Sequence, residues 1–280
     1  HTRTRRQRQM CIRDRFGSNA LLLNTTGSTN TALGAFALDA NTTASNNTAV
    51  GANTLSANTT GTENTAVGQQ AGTAVTTGNR NTLIGSLAGD SLTDADFNIS
   101  IGYQSLSADT LGSRSTALGY QSLATQNFTS ATDTYNTAVG FFAGLAITTG
   151  VRNTIIGGLA GDAITTANDN TAVGKGALTS DTTGADNTAV GSASLESNTT
   201  GANNSALGYG ALNANTTASN NTAVGKSALQ ANTTGTNLVA VGYLALTANT
   251  TGTSNVAVGN SALTTTTTGA NNTAVGHTAL

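Results

Sequence analysis

The sequence lacks several residue types that are common in compact globular domains. Its 280 residues contain no proline, no tryptophan and a single cysteine, Cys11, and aromatic side chains make up 4% of the chain. One cysteine excludes an intrachain disulfide. No apolar run approaches the ~20 residues of a membrane-spanning helix, and no secretion signal is visible because the basic start is not followed by an apolar core.

Charge is also scarce and unevenly placed. Charged residues are 9% of the chain, and the formal net charge is −2. Six of the eleven Lys and Arg residues lie in the first fifteen positions, so the remainder holds five basic against twelve acidic residues. Such a surface lacks the dense basic face with which nucleic-acid binders neutralise phosphates. We therefore expect no nucleic-acid partner, and no membrane contact from this segment.

In place of these residues the sequence has a repeat. Sixteen glycines from Gly17 to Gly276 follow one another at intervals of 17 residues, except for an interval of 21 between Gly119 and Gly140. The unit approximates Asn-Thr-Ala-Val-Gly-x-x-Ala-Leu-x-x-Asn-Thr-Thr-Gly-x-Asn. A short fixed period is typical of a solenoid, in which one small unit stacks on copies of itself. The predicted fold is all-β, a parallel β-solenoid of about sixteen 17-residue coils.

We number each coil from its glycine as position 0 and call residues that share a position a column. Thr, Val or Ile at −3 and Val, Leu or Ile at −1 alternate with Ala at −2, which predicts a strand whose −3 and −1 side chains face the core. Leu at +4 should reach the same core from a second short strand. Gly at 0 permits a corner or close approach, and Thr-Thr-Gly at +8 to +10 predicts a turn in which Gly has positive φ. Ala at −2 is then a candidate contact between subunits.

Asn recurs at −4 and +7. Because like residues stack in a solenoid, we predict ladders of side-chain amides that bond from coil to coil. Two stretches, 69–90 and 141–162, depart from the unit in the same way: +4 becomes Gly, and +7 becomes apolar. The apolar +7 residues are Val75, Leu92, Ile147 and Ile164. We predict that the core side chain moves along the coil there while the period survives.

Three segments do not follow the repeat. Residues 1–15 resemble translated sequencing-adapter read-through, and we interpret them as a non-native or disordered tail; a basic arm that binds nucleic acid or anionic lipid is the alternative. Leu280 falls in mid-coil, so the solenoid domain, residues 16–280, is expected to be truncated at its C-terminus. The four extra residues within Ala124–Tyr135 are interpreted as a tolerated insertion, with a specific contact as the alternative.

No catalytic or metal-binding pattern is present. The two histidines are His1 and His277, so no Ser-His-Asp or Cys-His set can be assembled from the other coils. The closest acidic cluster, Asp90, Asp94 and Asp96, is interpreted as solvated surface. We predict no enzymatic activity, no catalytic, metal-binding or cofactor-binding residues, and no cofactor.

The segment Asn255-Val256-Ala257-Val258-Gly259 and the many Asn-Thr-Ala-Val-Gly copies resemble the head repeats of YadA-like trimeric autotransporter adhesins. The resemblance spans residues 16–280, although the family's unit, Ser-Val-Ala-Ile-Gly-x-x-Ala-x-Ala, is shorter. It implies a left-handed parallel β-roll, an obligate homotrimer, extracellular display on the bacterial surface, and adhesion to a host or surface macromolecule or glycan. Similar repeats occur in phage tail fibres, so a virion or bacterial fibre segment is the alternative.

Two further alternatives remain. A left-handed hexapeptide β-helix acyltransferase matches only one of three sides of the coil and needs a catalytic His. An ice-binding rod needs a face of threonines, and adjacent Thr-Thr residues on a strand point to opposite faces, so only one Thr per coil could join it.

Overall fold

A computed structural model of the chain, which describes residues 13–280, shows a parallel β-solenoid with one turn per repeat. Sixteen strands form a single sheet in chain order, and neighbouring strands are parallel and in register, as in Ala172 opposite Ala189. Two further short strands pair with each other. The described residues contain no helix. The predicted fold class, an all-β parallel β-solenoid, is confirmed.

The strands hold two to four residues each. In chain order they are β1 Arg13–Phe16, β2 Asn30–Leu33, β3 Thr48–Val50, β4 Thr65–Val67, β5 Thr82–Ile84, β6 Ile99–Ile101, β7 Gly112–Ser113, β8 Thr116–Leu118, β9 Thr132–Asp133, β10 Thr137–Val139, β11 Thr154–Ile156, β12 Thr171–Val173, β13 Thr188–Val190, β14 Ser205–Leu207, β15 Thr222–Val224, β16 Val239–Val241, β17 Val256–Val258 and β18 Thr273–Val275.

The first strand begins before the predicted domain boundary. Arg13 pairs with Asn30 and Phe16 pairs with Leu33, so the first strand begins three residues before residue 16. The rest of the predicted tail, residues 1–12, lies outside the described residues. The interpretation of those twelve residues as non-native stays a prediction.

Buried and exposed residues alternate along each strand with the predicted period of two, but the buried position is −2 instead of −3 and −1. Ala189, Ala223 and Ala257 at position −2 are fully buried, whereas Val50 and Val67 at −1 are half-buried on the outer face. The prediction that −3 and −1 face the core is therefore wrong, and so is the use of Ala at −2 as a contact between subunits. Leu at +4 is buried from Leu21 to Leu263, as predicted.

The narrowness of the coil explains this phase. Leu at +4 and the small residue at +3 fill most of the interior, so the facing strand has room for little more than a methyl group. Where −2 is larger, at Leu83, the +4 positions of two successive coils are Gly72 and Gly89. A Cβ on Gly72 would lie 2.6 Å from Leu83 Cδ1. Volume is conserved across the core, as close packing demands.

The same exchange explains both departures from the unit. Val75, Leu92, Ile147 and Ile164 at +7 are fully buried, which confirms that the core side chain moves along the coil. In the second departure Ile155 is the large buried residue at −2, as Leu83 is in the first. This enlargement of −2 is also visible in the sequence, because after the first strand the Ala column is broken only where +4 is Gly and at Ser100.

Each coil has one strand of the main sheet, and the second short strand predicted around Leu at +4 does not form. The residues after position 0 turn through left-handed backbone at +2, +4 and +12, as at Gln104 (φ 51°), Leu106 (φ 50°) and Arg114 (φ 63°). The turns still bond coil to coil, since Leu106 N donates to Ser122 O at 3.0 Å. A leucine in this backbone region is strained by about 1 kcal/mol or more, and its complete burial offsets that cost.

Glycine recurs at positions 0 and +10 for different physical reasons. At position 0, Gly225 has φ +130°, and a Cβ there would lie 2.5 Å from the carbonyl oxygen of Gly242 in the next coil. At +10, Gly201 does not have positive φ, which corrects the turn prediction. A Cβ on Gly201 would lie 2.3 Å from Ala218 O, so this column is small because coils approach closely.

Both predicted asparagine ladders are present. In the +7 column, Asn58 Nδ2 donates to Asn41 Oδ1 and to Gly61 O, each at 3.0 Å. In the −4 column, Asn47 Nδ2 donates to the same Gly61 carbonyl at 2.9 Å, and Asn47 Oδ1 accepts from Asn64 N at 2.9 Å. The two ladders therefore share a carbonyl in the coils between Asn30 and Asn232 that have Asn at both positions, and the repeat itself satisfies most of the buried amide groups.

The insertion within Ala124–Tyr135 is built into the solenoid. Its strand β9 pairs with β7, and Phe128 is buried. Gln126 connects the two ladders across it, donating from Nε2 to Asp109 Oδ2 at 2.6 Å and accepting from Asn136 Nδ2 at 2.8 Å.

Candidate interaction surface

The outer face of the main sheet is a long stripe of β-branched and aliphatic side chains. Position −3 supplies mostly Thr, and position −1 supplies Val, Ile or Leu in every coil from β2 to β18. The most exposed aliphatic members are Leu33, Ile99, Leu118, Leu207 and Val275, between 41% and 71% exposed. At ~4.8 Å per strand the sixteen strands give a stripe roughly 75 Å long. We call these two columns the strand face.

An aromatic stack borders the strand face in the middle of the rod. Tyr103, Tyr120 and Phe141 occupy position +1 of three successive coils, and their ring centroids are 5.5 Å and 5.3 Å apart with nearly parallel planes. Phe142 packs against Phe141 at 4.0 Å. The next residue in the column is Gly158, so the stack ends there.

A second column, position +12, lies two residues before the strand and combines charge with aromatic rings. Arg80 pairs with Glu63 at 2.7 Å, and its guanidinium lies 5.3 Å from the Phe97 ring centroid. Arg114 contacts Phe97 at the same distance and also Tyr135. These exposed pairs are each worth at most about 1 kcal/mol, but they give the central coils a surface that the plain Asn/Thr coils lack.

Beyond the aromatic stack the surface has a depression of about 450 Å³. It forms because position +2 is small at Gly176 and Ala193, whereas Gln or Leu fills that column in several earlier coils. The lining residues are Leu159, Lys175, Gly176, Thr179, Ser192, Ala193, Glu196 and Tyr209. The depression therefore combines an aromatic ring, one cation, one carboxylate and two hydroxyl groups.

Two buried acids begin segments of the +7 ladder. Asp109 and Asp181 each follow a coil whose +7 residue is apolar, Leu92 and Ile164. Asp181 Oδ1 accepts from Asn198 Nδ2 at 3.0 Å and from Gly184 N at 3.1 Å, but Oδ2 has no partner. Burial raises the pKa of Asp181 to about 7.

Burial raises the pKa of Asp109 too, against opposing hydrogen bonds from Gln126, Phe128, Gly112 and Thr110. The raised pKa values follow from the desolvation of a carboxylate. Each of these acids accepts a hydrogen bond from the amide of the next coil, and no amide N–H at this position faces the apolar side chain of the coil before it.

The acidic cluster of Asp90, Asp94 and Asp96, predicted to be solvated surface, is only partly exposed. Asp94 is exposed, whereas Asp90 and Asp96 are half-buried, and burial raises the pKa of Asp90. Asp96 Oδ1 accepts from Asn79 N at 2.6 Å. Within residues 13–280 no group of three His, Cys, Asp or Glu side chains could hold a metal ion. The other histidine, His277, is exposed at the last coil, and His1 lies outside the described residues.

No protein-family model matches the chain, and no curated protein and no solved structure shows significant similarity to it. The resemblance to the YadA-like head repeats therefore stays a prediction. In the part of the chain that the structure describes, no helix is long and apolar enough to cross a membrane.

Sequence reasoning missed the strand face and the depression. The strand face was hidden by the assumption that the more apolar side of a strand turns inward. The depression had a signal, the two small residues at +2, but only the stacked structure shows that +1, +2 and +5 line one surface.

Proposed function

We propose that this chain is a non-enzymatic structural rod that works outside the cell as the head or stalk of an adhesin, assembles with copies of itself through the strand face, and presents a repetitive surface to a partner. The alternative is a segment of a phage or bacterial fibre, which would be a similar structural rod attached through a different anchor. The observation that carries the proposal is the strand face itself: an aliphatic stripe along all the coils, outside the core and uncovered in the single chain.

The core of the single chain is thin, which supports assembly. Each regular coil buries one Leu with two or three small side chains, while Val or Leu at −1 stays partly exposed. Contiguous apolar surface of this length marks an interface in soluble proteins. Burying it against copies would add about 25 cal/mol for each Å² removed from water. A homotrimer is the state that the resemblance implies.

Placing charges on the strand face should dissociate this assembly. The variant V190K/L207E/V224K alternates sign along the column, so the in-register side chains attract one another and the sheet of the single chain is preserved. We expect the natural sequence to sediment as a trimer at micromolar concentration and the variant as a monomer.

The matched control carries the same charges on another surface. T200K/T217E/T234K changes three exposed residues at +9 and should remain trimeric. A natural chain that is monomeric at the same concentration, or a trimer unaffected by the strand-face charges, would contradict assembly through this surface.

The outward threonines favour a second candidate, an ice-binding rod. Thr48, Thr65 and Thr82 stand at −3 of successive coils, each two residues from an aliphatic −1 side chain on the same face. Parallel strands repeat this pair every ~4.8 Å, and such a regular array of hydroxyl and methyl groups can order water. An ice-binding face must be open to solvent, so this function and assembly through the strand face exclude each other.

Thermal hysteresis separates the two functions. An ice-binding rod should be monomeric, depress the freezing point below the melting point, and lose that activity in V190K/L207E/V224K but not in T200K/T217E/T234K. A trimer without thermal hysteresis is the result expected for the adhesin or fibre segment.

A further inference from the structure

We propose that the depression lined by Lys175, Gly176, Glu196 and Tyr209 binds a pyranose ring of a glycan. This inference deepens the proposed function, because it assigns a chemical class to the partner of an adhesive rod. It is carried by the juxtaposition of an unstacked tyrosine ring with one cation and one carboxylate around a floor of small residues.

Tyr209 is suited to stack on a sugar. Its neighbours in the +1 column are Ser192 and Lys226. The Lys226 ammonium lies 5.9 Å from the Tyr209 ring centroid, but no aromatic ring stacks on Tyr209, in contrast to Tyr120. The Tyr209 side chain is 59% exposed and lines the depression. The negative face of an aromatic ring attracts the C–H groups that cluster on one face of a pyranose, and the phenolic edge stays in water.

The polar groups match hydroxyls that both donate and accept. Glu196 Oε2 accepts from Asn213 Nδ2 at 2.7 Å, which fixes the carboxylate, and Oε1 lies 3.9 Å from the Cβ position of Gly176. Lys175 has no ion pair among the described residues. An ammonium donates and a carboxylate accepts, so each can bond a hydroxyl of the sugar.

Other ligand classes fit less well. An anion would meet the Glu196 carboxylate, a cation would meet the Lys175 ammonium, and an apolar molecule would leave both charges without partners. A neutral polyol uses both charges and the ring. The volume of about 450 Å³ lies within the range of small-molecule sites.

The column offers a substitution that fills the site without disturbing the backbone. Gly176 has φ +66°, and Gln70, Gln104 and Gln121 occupy the same +2 position with φ between 51° and 60°. Gly176→Gln should therefore fold and occupy the depression. Gly210→Gln is the matched control, since Gly210 has φ +62° at the same position but does not line the depression.

The test is saturation-transfer NMR and titration of the full chain with the methyl glycosides of glucose, galactose, mannose and N-acetylglucosamine. At least one should bind with a Kd on the order of millimolar, as expected for a single shallow site. Gly176→Gln should abolish binding, and Tyr209→Ala should weaken it about tenfold. Gly210→Gln and Tyr243→Ala, at equivalent positions outside the depression, should bind as the natural chain does.

Three outcomes would overturn the inference: no glycoside binds, binding survives Gly176→Gln, or phenylacetate binds at the depression while the glycosides do not. The proposed function is separable in the same experiment. If Gly176→Gln loses the glycoside but the trimer is absent, the sugar site stands and the assembled rod fails. If the trimer forms and no glycoside binds, the assembled rod stands without this site.

Discussion

Replacing Gly225 by alanine should destabilise the solenoid by about 4 kcal/mol. The backbone at Gly225 has φ +130°, a region that is essentially closed to residues with a Cβ, and that Cβ would lie 2.5 Å from Gly242 O. The overlap is with backbone of the next coil, so no side-chain movement can relieve it. Since each coil contacts only its neighbours, the loss falls on one coil-to-coil contact. Urea unfolding followed by circular dichroism measures it.

Gly210→Ala is the control for this substitution. Gly210 has φ +62°, where Gln and Leu stand in other coils, and its Cβ would approach only Ser227 Oγ, at 3.9 Å. We expect a loss of about 1 kcal/mol or less. Equal losses in the two variants would mean that close approach between coils does not explain the glycine period.

Asp181→Asn should remove a loss of stability that the natural chain shows as pH rises. The folded-state pKa of Asp181 is raised from 3.8 to about 7, so the folded chain binds a proton more tightly than the unfolded chain does. The contribution of Asp181 to the free energy of unfolding is present at low pH, where the carboxyl group is protonated, and is lost as pH rises from about 4 to 7. A shift of this size corresponds to about 4 kcal/mol. Asparagine cannot ionise and removes this dependence.

The two proteins should have similar stability at low pH. Asp181 is then protonated, so its carboxyl group and the amide of Asp181→Asn both place a hydrogen-bond donor beside Ile164. Above pH 7 the Asp181→Asn variant should be the more stable of the two, because the natural chain then carries a buried carboxylate whose Oδ2 has no partner. Urea unfolding from pH 4 to 8 measures the difference between the two proteins.

Asp186→Asn removes the same charge from an exposed +12 residue in the same coil and should keep the pH slope of the natural chain. A natural chain and an Asp181→Asn variant with parallel pH profiles would contradict the protonated state of Asp181. Asp39, Asp90 and Asp109, whose pKa values are also raised, are common to both proteins and cancel in the comparison.

The period by itself determined the solenoid. A glycine every 17 residues and recurrent Asn at two positions require a unit that stacks on its copies, because only stacking gives each buried amide a partner of the same kind. The buried Leu at +4, the two ladders and the shift of the core side chain to Val75 and Ile147 all follow from counting along the repeat.

Only the tertiary structure decided which side of each strand is the inside. Alternation of residue types shows which side chains share a face of the strand but not which face is buried, because a shift of one residue exchanges the two faces. Hydrophobicity favours Val at −1 for the core, yet a coil of 17 residues is so narrow that Leu at +4 leaves room for only Ala opposite. The aliphatic column faces outward for this reason. The volume of the interior thus decides which side chains form the surface of this protein. That volume cannot be obtained from the order of apolar and polar residues in the sequence.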